Sequence, residues 1–248
     1  MIQIQNLTAG YHDLPVLQDL CLAIPKDTVT AIVGPNGCGK TTLLRAICGQ
    51  LPIADGNITV DGKNLTHYER KELARKIALL PQVRDVPALT VEALVQHGRY
   101  PHLGMNRRLT TQDKAIVSQA MAQTDVAKLA QKDLRELSGG QRQRAYIAMA
   151  LAQDTDIILL DEPTTHLDLG RQFELLALIR QLQKTVVVVL HDLSHALQYC
   201  DHMVLLDKGQ LVQYGVPQAL LKSGMLEQVF DIAITPAEKG YLFHPKQK

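Results

Sequence analysis

The chain has 248 residues, 46% of them apolar, and its 26 lysines and arginines nearly balance 25 aspartates and glutamates. The formal net charge of +1 and an aromatic content of 4% argue against a nucleic-acid partner bound through a basic surface or a base-stacking platform. Four scattered cysteines without a CxxC pair or a signal peptide indicate a reduced cytosolic compartment. The longest apolar run, Thr185–Leu190, is too short to span a bilayer, so any membrane role requires a partner.

The N-terminal third of the chain has the pattern of strands that lead into a glycine-rich loop. Apolar residues alternate in Ile2–Ile4, and a mixed apolar run covers Val16–Ile24. Val29–Val33 predicts a short buried strand, and a helix is predicted from Lys40 to about Cys48. The glycine-rich loop therefore lies between a predicted strand and a predicted helix.

Turn and cap residues mark the next elements. Asp55-Gly56 and Asp61-Gly62 predict turns on either side of a short strand at Ile58–Val60. The sequence Thr66–Glu69 has the spacing of a capping box, which predicts a brief charged helix that ends near Ile77.

Between Arg84 and Leu134 helical patterns replace the β-branched strands. Thr90 predicts a helix cap with Glu92 in the first turn, and Thr110 with Asp113 predicts another. The second helix would bear four apolar residues on one face: Ile116, Val117, Ala120 and Met121. We therefore expect a helical subdomain at 84–135, inserted into an α/β core formed by 1–83 and 136–248.

Helices and strands alternate after the insertion. A helix follows the string LSGGQ, a buried strand is predicted at Ile157–Leu160, and another at Thr185–Leu190. An amphipathic helix between these strands carries Phe173, Leu176, Ile179 and Leu182. This alternation is typical of a mainly parallel sheet with helices on both faces.

The segment GPNGCGKTT matches GxxxxGK[ST], the P-loop pattern of nucleotide-binding proteins, in the expected strand–loop–helix context. Backbone N–H groups of such a loop hold phosphates, while Lys40 would reach the β/γ oxygens and Thr41 would bind Mg²⁺. The alternative is a glycine-rich turn that matches by chance. The predicted nucleotide-binding residues are Gly34, Pro35, Asn36, Gly37, Cys38, Gly39, Lys40, Thr41 and Thr42.

Two adjacent carboxylates follow the apolar run at Ile157–Leu160. The carboxyl ends of strands in an open α/β sheet face the ligand, so Asp161 is predicted to hold Mg²⁺ and Glu162 to polarise the attacking water. The alternative is a strand that ends in a solvated acidic turn.

A second anion site is predicted where LSGGQ enters a helix. Glycines expose backbone N–H groups, and a helix N-terminus supplies positive potential. Ser138 would also serve as a helix N-cap, which is compatible with anion binding. The residues of this site are Leu137, Ser138, Gly139, Gly140 and Gln141.

Together the P-loop, LSGGQ, the ILLDEP segment and a histidine after a later strand resemble the ATP-binding cassette (ABC) ATPase subunits of membrane transporters, over nearly the whole chain. The resemblance implies a P-loop NTPase fold with a RecA-like core of mainly parallel strands, N-terminal antiparallel strands and an inserted helical subdomain. It also implies a head-to-tail homodimer, in which each of two ATP molecules lies between the P-loop of one subunit and LSGGQ of the other.

Further roles are implied by position in this resemblance. Tyr11 would stack on adenine, and Gln82 would contact Mg²⁺ and water where the helical subdomain is hinged. His191 would contact the γ-phosphate, and Asp168 matches the loop that crosses the dimer interface. Taken alone, Tyr11 would be a turn tyrosine and His191 a structural histidine.

Within the family the chain is similar to the ATPases of ferric-siderophore, haem and cobalamin importers, and GRYPH at Gly98–His102 is the most suggestive string. The resemblance implies two separate permease subunits that dock near the helical subdomain, an indirect substrate-binding protein, and a place on the cytoplasmic face of a bacterial cell membrane. An iron chelate, either a ferric siderophore or haem, is the expected cargo, with cobalamin or another metal chelate as the alternative. GRYPH could also be no more than a loop stabilised by Pro101. No regulatory C-terminal domain is expected.

Two other classes of protein remain as alternatives. A non-transport ABC ATPase would require long coiled coils or two cassettes in one chain, and neither pattern is present in the sequence. A small-molecule kinase with a P-loop would have no use for LSGGQ.

Overall fold

The computed structural model describes residues 1–12, 14–82, 85–104, 108–237 and 240–245, and it divides into two compact units. The first unit comprises Met1–His67 and Gln183–Lys248, and the second comprises Tyr68–Leu182. The predicted boundary between residues 83 and 84 lies outside the described residues. The extent of a helical subdomain at 84–135 therefore stays a prediction.

Strands and helices alternate along most of the chain. The strands are β1 (Ile2–Tyr11), β2 (Leu14–Ile24), β3 (Val29–Val33), β4 (Ile53–Val60), β5 (Lys63–Asn64), β6 (Ile77–Leu80), β7 (Ile157–Asp161), β8 (Thr185–Val189), β9 (His202–Asp207), β10 (Gln210–Gly215), β11 (Ile232–Ala237) and β12 (Gly240–Pro245). The α-helices are α1 (Lys40–Ile47), α2 (Arg70–Ala74), α3 (Val91–His97), α4 (Thr111–Gln123), α5 (Gly139–Ala152), α6 (Leu169–Gln181), α7 (Leu193–Tyr199), α8 (Pro217–Ser223) and α9 (Met225–Phe230).

The first unit contains an antiparallel sheet in the order β2-β1-β4-β5. Ile2 of β1 lies opposite Ile24 of β2 and opposite Val60 of β4, and all three side chains are buried. Side chains alternate between the two faces of a strand, so the alternation of Ile2–Ile4 buries one face of β1. The predicted N-terminal antiparallel strands are confirmed.

Strand β4 is longer than predicted, and the turn expected at Asp55-Gly56 was wrong. Both residues lie within β4, beside an irregularity in its register with β1. Gly56 has φ 80°, and a Cβ there would lie 2.3 Å from the Asn6 carbonyl oxygen. Both a bulge in a strand and a turn require a residue with positive φ, which favours glycine. The Asp-Gly pattern alone therefore could not distinguish a bulge from a turn.

The first unit also contains strands in the order β10-β9-β3-β8. β3 is parallel to both β8 and β9, whereas β10 is antiparallel to β9. Every residue of β3 and β8 is buried, as expected for central parallel strands. The buried strands predicted at Val29–Val33 and Thr185–Leu190 are thereby confirmed, and β3 leads into the loop that precedes α1.

In the second unit β6 and β7 pair in parallel, with Ile77 opposite Ile157. Helices α3, α4 and α5 pack against one another, and α5 also packs on β6. The Thr90 hydroxyl accepts the Ala93 N–H, and Thr110 forms a reciprocal capping box with Asp113. The predicted caps of α3 and α4 are confirmed; Val117, Ala120 and Met121 are buried, and Ile116 is half-buried.

The capping box predicted at Thr66–Glu69 was wrong. The Thr66 hydroxyl donates to the Asn64 side chain at 2.8 Å, within a 3₁₀ turn at Leu65–His67. Glu69 is the N-cap of α2 and makes no side-chain cap bond. In a capping box the Thr66 hydroxyl would accept a helix N–H, but here it donates to Asn64 and the helix begins only after Glu69. Short polar side chains often form such local bonds.

The string Gly98–His102 has a clear packing role at the end of α5. A Cβ on Gly98 would lie 2.2 Å from the Met149 carbonyl oxygen, so only glycine allows this approach. His102 Nε2 lies 2.8 Å from the Gln153 carbonyl oxygen. The string therefore packs the end of α3 against the C-terminal end of α5. This packing role does not depend on any role in transport.

The last elements follow the predicted order. Helix α9 ends at Phe230, and β11 begins at Ile232. Residues 240–245 form β12, whereas 239 and 246–248 of the predicted tail lie outside the described residues. Among the helices of the described residues, none combines the length and the apolar character needed to cross a bilayer.

Candidate functional site

The glycine-rich loop between β3 and α1 is shaped by positions where a side chain does not fit. A Cβ on Gly34 would lie 2.2 Å from the Leu206 carbonyl oxygen. Gly39 has φ 104°, and a Cβ there would lie 2.6 Å from the Leu17 side chain. Glycine is therefore required at both positions, and the loop curls closely around the N-terminus of α1. Backbone N–H groups at such an N-terminus attract anions.

Lys40 is the first residue of α1, and its side chain extends back towards the start of the glycine-rich loop. Its ammonium group donates to the carbonyl oxygens of Gly34 at 2.8 Å and Pro35 at 2.9 Å, and the residue is only 6% exposed. A buried ammonium group requires such partners. These contacts place a positive charge inside the predicted phosphate loop.

Cys38 is a packed residue of the loop. It is 3% exposed, and its carbonyl oxygen accepts the Gly209 N–H at 3.1 Å. Burial raises the pKa of the Cys38 thiol, although the nearby Lys40 acts in the opposite direction. The thiol is therefore less reactive than an exposed one.

Tyr11, the predicted adenine-stacking residue, contacts α1. Arg45 of that helix donates to the Tyr11 hydroxyl at 3.0 Å, and its guanidinium carbon lies 6.0 Å from the ring centroid. The ring is half-buried at the end of β1. Its hydroxyl is thus anchored to the helix that begins at the P-loop. Nothing in the sequence pattern pointed to Arg45.

His191 lies at the carboxyl end of β8, directly after Leu190. The Leu190 N–H donates to the Ile32 carbonyl oxygen at 3.2 Å, so β8 and β3 end side by side. The P-loop follows β3, and therefore His191 and the loop leave neighbouring parallel strands at the same edge. Ligands of open α/β sheets bind at that edge. His191 is exposed there.

In the second unit, Gln82 and Glu162 meet beyond the ends of β6 and β7. Gln82 donates to Glu162 Oε2 at 2.9 Å. Because β6 and β7 are parallel neighbours, residues 80 positions apart are brought into contact. Asp161 is buried at the last position of β7, with 6% exposure. The structure thus brings Gln82, whose role only the resemblance implied, into contact with the carboxylate predicted to polarise water.

Glu162 has a second partner that sequence reasoning did not identify. Thr165 donates its hydroxyl to the same Oε2 atom at 3.2 Å. The only signal in the sequence was a hydroxyl residue three positions after the carboxylate, which is too common to predict a contact.

The string LSGGQ forms the start of α5. Ser138 is its N-cap, since the Ser138 hydroxyl accepts the Gln141 N–H at 3.3 Å and Gln141 Oε1 accepts the Ser138 N–H at 3.2 Å. Leu137 is buried, whereas Ser138 and Gly139 are exposed. The expected capping role of Ser138 is confirmed. The positive end of a 14-residue helix faces outward here.

Asp168 also caps a helix. Its carboxylate accepts the Arg171 N–H at 3.0 Å at the start of α6. The segment between Glu162 and Asp168 contains two non-glycine residues in the left-handed region, Glu162 with φ 52° and His166 with φ 64°. Asp168 therefore fixes one end of a strained loop.

Comparison with known proteins identifies the family of the chain. A family described as "ABC transporter" matches residues 17–165. The ferric enterobactin transport ATP-binding protein FepC of Escherichia coli (strain K12) is 43% identical over 92% of this chain and 86% of its own length. The iron(3+)-hydroxamate import ATP-binding protein FhuC of Bacillus subtilis (strain 168) is 41% identical over 92% of this chain and 87% of its own.

Solved structures of ABC transporters also resemble this chain. A metal-chelate type ABC transporter in an inward-facing conformation superimposes with a TM-score of 0.82 and 29% identity, over 98% of this chain and 95% of that chain. MJ0796, described as a dimeric bacterial ABC transporter cassette, gives a TM-score of 0.76 and 26% identity, over 88% of this chain and 99% of its own. The chain belongs to the ABC transporter family and is one of its ATP-binding, ATP-hydrolysing subunits.

Proposed function

We propose that the chain hydrolyses ATP to energise the uptake of a ferric siderophore through separate transmembrane subunits. The observation that carries the ATPase part is the P-loop closed around Lys40, whose ammonium group lies 2.8 Å from the Gly34 carbonyl oxygen. The relatives FepC and FhuC, both named for iron-chelate transport, support the cargo.

ATP would bind in the first unit. The backbone N–H groups of residues 34–42 hold its phosphates, Lys40 contacts the β/γ oxygens, and Tyr11 stacks on the adenine. The loop fits this task because Gly34 packs against the Leu206 carbonyl and Gly39 against Leu17, which holds the loop at the N-terminus of α1. His191 then contacts the γ-phosphate from the carboxyl end of β8.

Mg²⁺ would be held by Thr41, Gln82 and Asp161. A hydroxyl, an amide oxygen and a carboxylate are the hard oxygen ligands that Mg²⁺ prefers. Asp161 is buried at the end of β7, where a carboxylate requires a cation or hydrogen-bond donors nearby. When bound, Mg²⁺ neutralises charge on the β- and γ-phosphates.

Glu162 would act as the general base that polarises the attacking water. Two subunits associate head to tail, and LSGGQ of each completes the ATP site of the other. The first N–H groups of an α-helix have no partner within the helix, so the Gly139 and Gly140 amides suit a γ-phosphate. This accounts for two phosphate-binding motifs in one chain. Asp168 belongs to the loop that crosses the interface.

Two permease subunits would dock near the predicted helical subdomain, and a substrate-binding protein would deliver the chelate to them. The chain would then be a peripheral protein on the cytoplasmic face of a bacterial membrane. The names of the relatives, which are ATP-binding proteins of transport systems, support this assembly. Cobalamin or another metal chelate is the second candidate cargo, and a non-transport ABC ATPase is a distant one.

Uptake of radiolabelled iron in a deletion strain tests the proposal. Iron is supplied as a ferric siderophore or as haem, and the strain is complemented with the wild-type gene or with Lys40→Ala. We expect loss of siderophore uptake that only the wild type restores. Normal iron uptake together with loss of cobalamin uptake would contradict the proposed cargo and leave the ATPase assignment intact.

A further inference from the structure

We propose that Thr165 is a positioning residue for ATP hydrolysis, whose hydroxyl fixes the orientation of the Glu162 carboxylate. This inference rests on the proposed function, in which Glu162 is the general base. Thr165 itself contacts neither the phosphates nor the water in this proposal; it acts through Glu162.

Two hydrogen bonds converge on one oxygen of that carboxylate. Gln82 Nε2 donates to Glu162 Oε2 at 2.9 Å, and the Thr165 hydroxyl lies 3.2 Å from the same atom. An ionised carboxylate only accepts hydrogen bonds, so the hydroxyl must donate. The donors come from two different segments of the second unit. Together they define the position of Oε2 and therefore the direction in which the rest of the carboxylate points.

Orientation is a particular problem for Glu162 because of its backbone. Its φ of 52° lies in the left-handed region, which non-glycine residues rarely adopt. Such a conformation persists only when surrounding contacts hold it. A long side chain on a strained backbone position gains its fixed direction from hydrogen bonds at its end.

Thr165 makes a backbone contact to the same residue. Its N–H donates to the Glu162 carbonyl oxygen at 3.2 Å and closes a turn over residues 162–165. This contact does not depend on the side chain. Removal of the hydroxyl alone would therefore leave the turn in place and release only the carboxylate.

The surroundings of Thr165 make that substitution feasible. The side chain is half-buried and lines a cavity of about 300 Å³, which also contacts Gly139 and Tyr146 of α5. Valine has nearly the shape of threonine and lacks only the hydroxyl, while serine keeps the hydroxyl and lacks the methyl group. The two variants separate the hydrogen bond from the packing.

The test compares Thr165→Val with Thr165→Ser in steady-state ATP hydrolysis. Loss of a hydrogen bond to a charged group predicts a fall in kcat of about tenfold for Thr165→Val, with the KM for MgATP and the melting temperature unchanged. Thr165→Ser should retain most of the wild-type kcat. A purely structural role would instead lower the melting temperature or raise the KM.

The proposal is overturned if Thr165→Val hydrolyses ATP at the wild-type rate, or if both variants lose the same activity. It is also overturned if Thr165→Val slows the residual turnover of Glu162→Gln, because a residue that acts through the carboxylate has no effect once the carboxylate is gone. A wild-type chain without ATPase activity, alone or with its permease, would contradict the proposed function as well. An active wild type with an unaffected Thr165→Val contradicts this inference only.

Discussion

Arg99 donates to the carbonyl oxygen of Ala152 at 2.8 Å and to Asp113 Oδ1 at 2.9 Å. Ala152 is the last residue of the helix that LSGGQ begins, and Asp113 belongs to α4. A cation at a helix C-terminus interacts favourably with the helix dipole and satisfies a carbonyl group left without a helical partner. One buried guanidinium thus joins the C-terminus of α5 to α4.

Replacement of Arg99 by methionine should destabilise the second unit strongly. Arg99 is 4% exposed, so its loss leaves the Asp113 charge buried without its cationic partner, which costs about 3–5 kcal/mol. Arg135 offers a matched control, because its ion pair with Asp133 lies at the surface with 61% of the arginine side chain exposed. Arg135→Met should leave the free energy of unfolding nearly unchanged, because solvent screens an exposed ion pair. Equal effects of the two substitutions in urea unfolding would contradict the role assigned to Arg99.

The stability of the chain should fall in acid, partly through Asp113. Hydrogen bonds from Thr110, and then the interaction with Arg99, lower the pKa of Asp113 to about 2. An unfolded aspartate has a pKa of about 3.9, so the folded state favours the ionised form. The resulting stability is fully present above pH 4 and is lost as the pH falls toward 2. We expect Asp113→Asn to be less stable than the wild type at pH 6, with a difference that shrinks toward pH 2. A constant difference across this range would contradict the contribution of the carboxylate.

Cys38 should react slowly with alkylating reagents and Cys21 quickly. The Cys21 side chain is exposed, whereas Cys38 is buried and burial raises the pKa of its thiol. Thiolate is the reactive form, so the raised pKa means that Cys38 labelling should accelerate only at a higher pH than an ordinary thiol needs. Once Cys38 is labelled, ATP binding should be lost, and MgATP should protect the thiol. Peptide mass spectrometry separates the two sites; equal labelling of Cys38 with and without MgATP would argue against a nucleotide in the loop.

Local patterns in the sequence predicted much of the fold correctly. The P-loop, the caps of α3 and α4 and the N-cap Ser138 depend on residues within a few positions of one another, and all of them form. The two local errors, at Asp55-Gly56 and Thr66, have a common cause. Glycine and short polar residues satisfy several backbone conformations equally well, and the choice depends on the strand or side chain that lies beside them.

Contacts between segments that lie far apart in the chain could not be predicted from sequence patterns. The hydrogen bond from Arg45 to Tyr11, and that from Arg99 to Ala152, join elements whose proximity follows only from tertiary packing. The Gln82–Glu162 contact was not predicted either: the resemblance implied only that Gln82 contacts Mg²⁺ and water, and neither a Pro-Gln pair nor an acidic turn carries a distinctive pattern. Side-chain identity predicted which residues could take part in the chemistry, while the fold determines which of them meet.

Glu162→Gln should bind ATP, dimerise and hydrolyse almost nothing. The amide keeps an oxygen that can accept the Gln82 and Thr165 hydrogen bonds but can no longer take a proton from water, so kcat should fall by roughly 10²–10⁴. Slow hydrolysis leaves the ATP-bound dimer populated, and light scattering at saturating MgATP should report a doubled mass. The double variant Lys40→Ala/Glu162→Gln is the matched control, which should stay monomeric because it lacks the phosphate-binding ammonium group. If Glu162→Gln binds ATP with full occupancy yet remains monomeric, LSGGQ of a second subunit does not complete the site, and the head-to-tail arrangement is wrong for this chain.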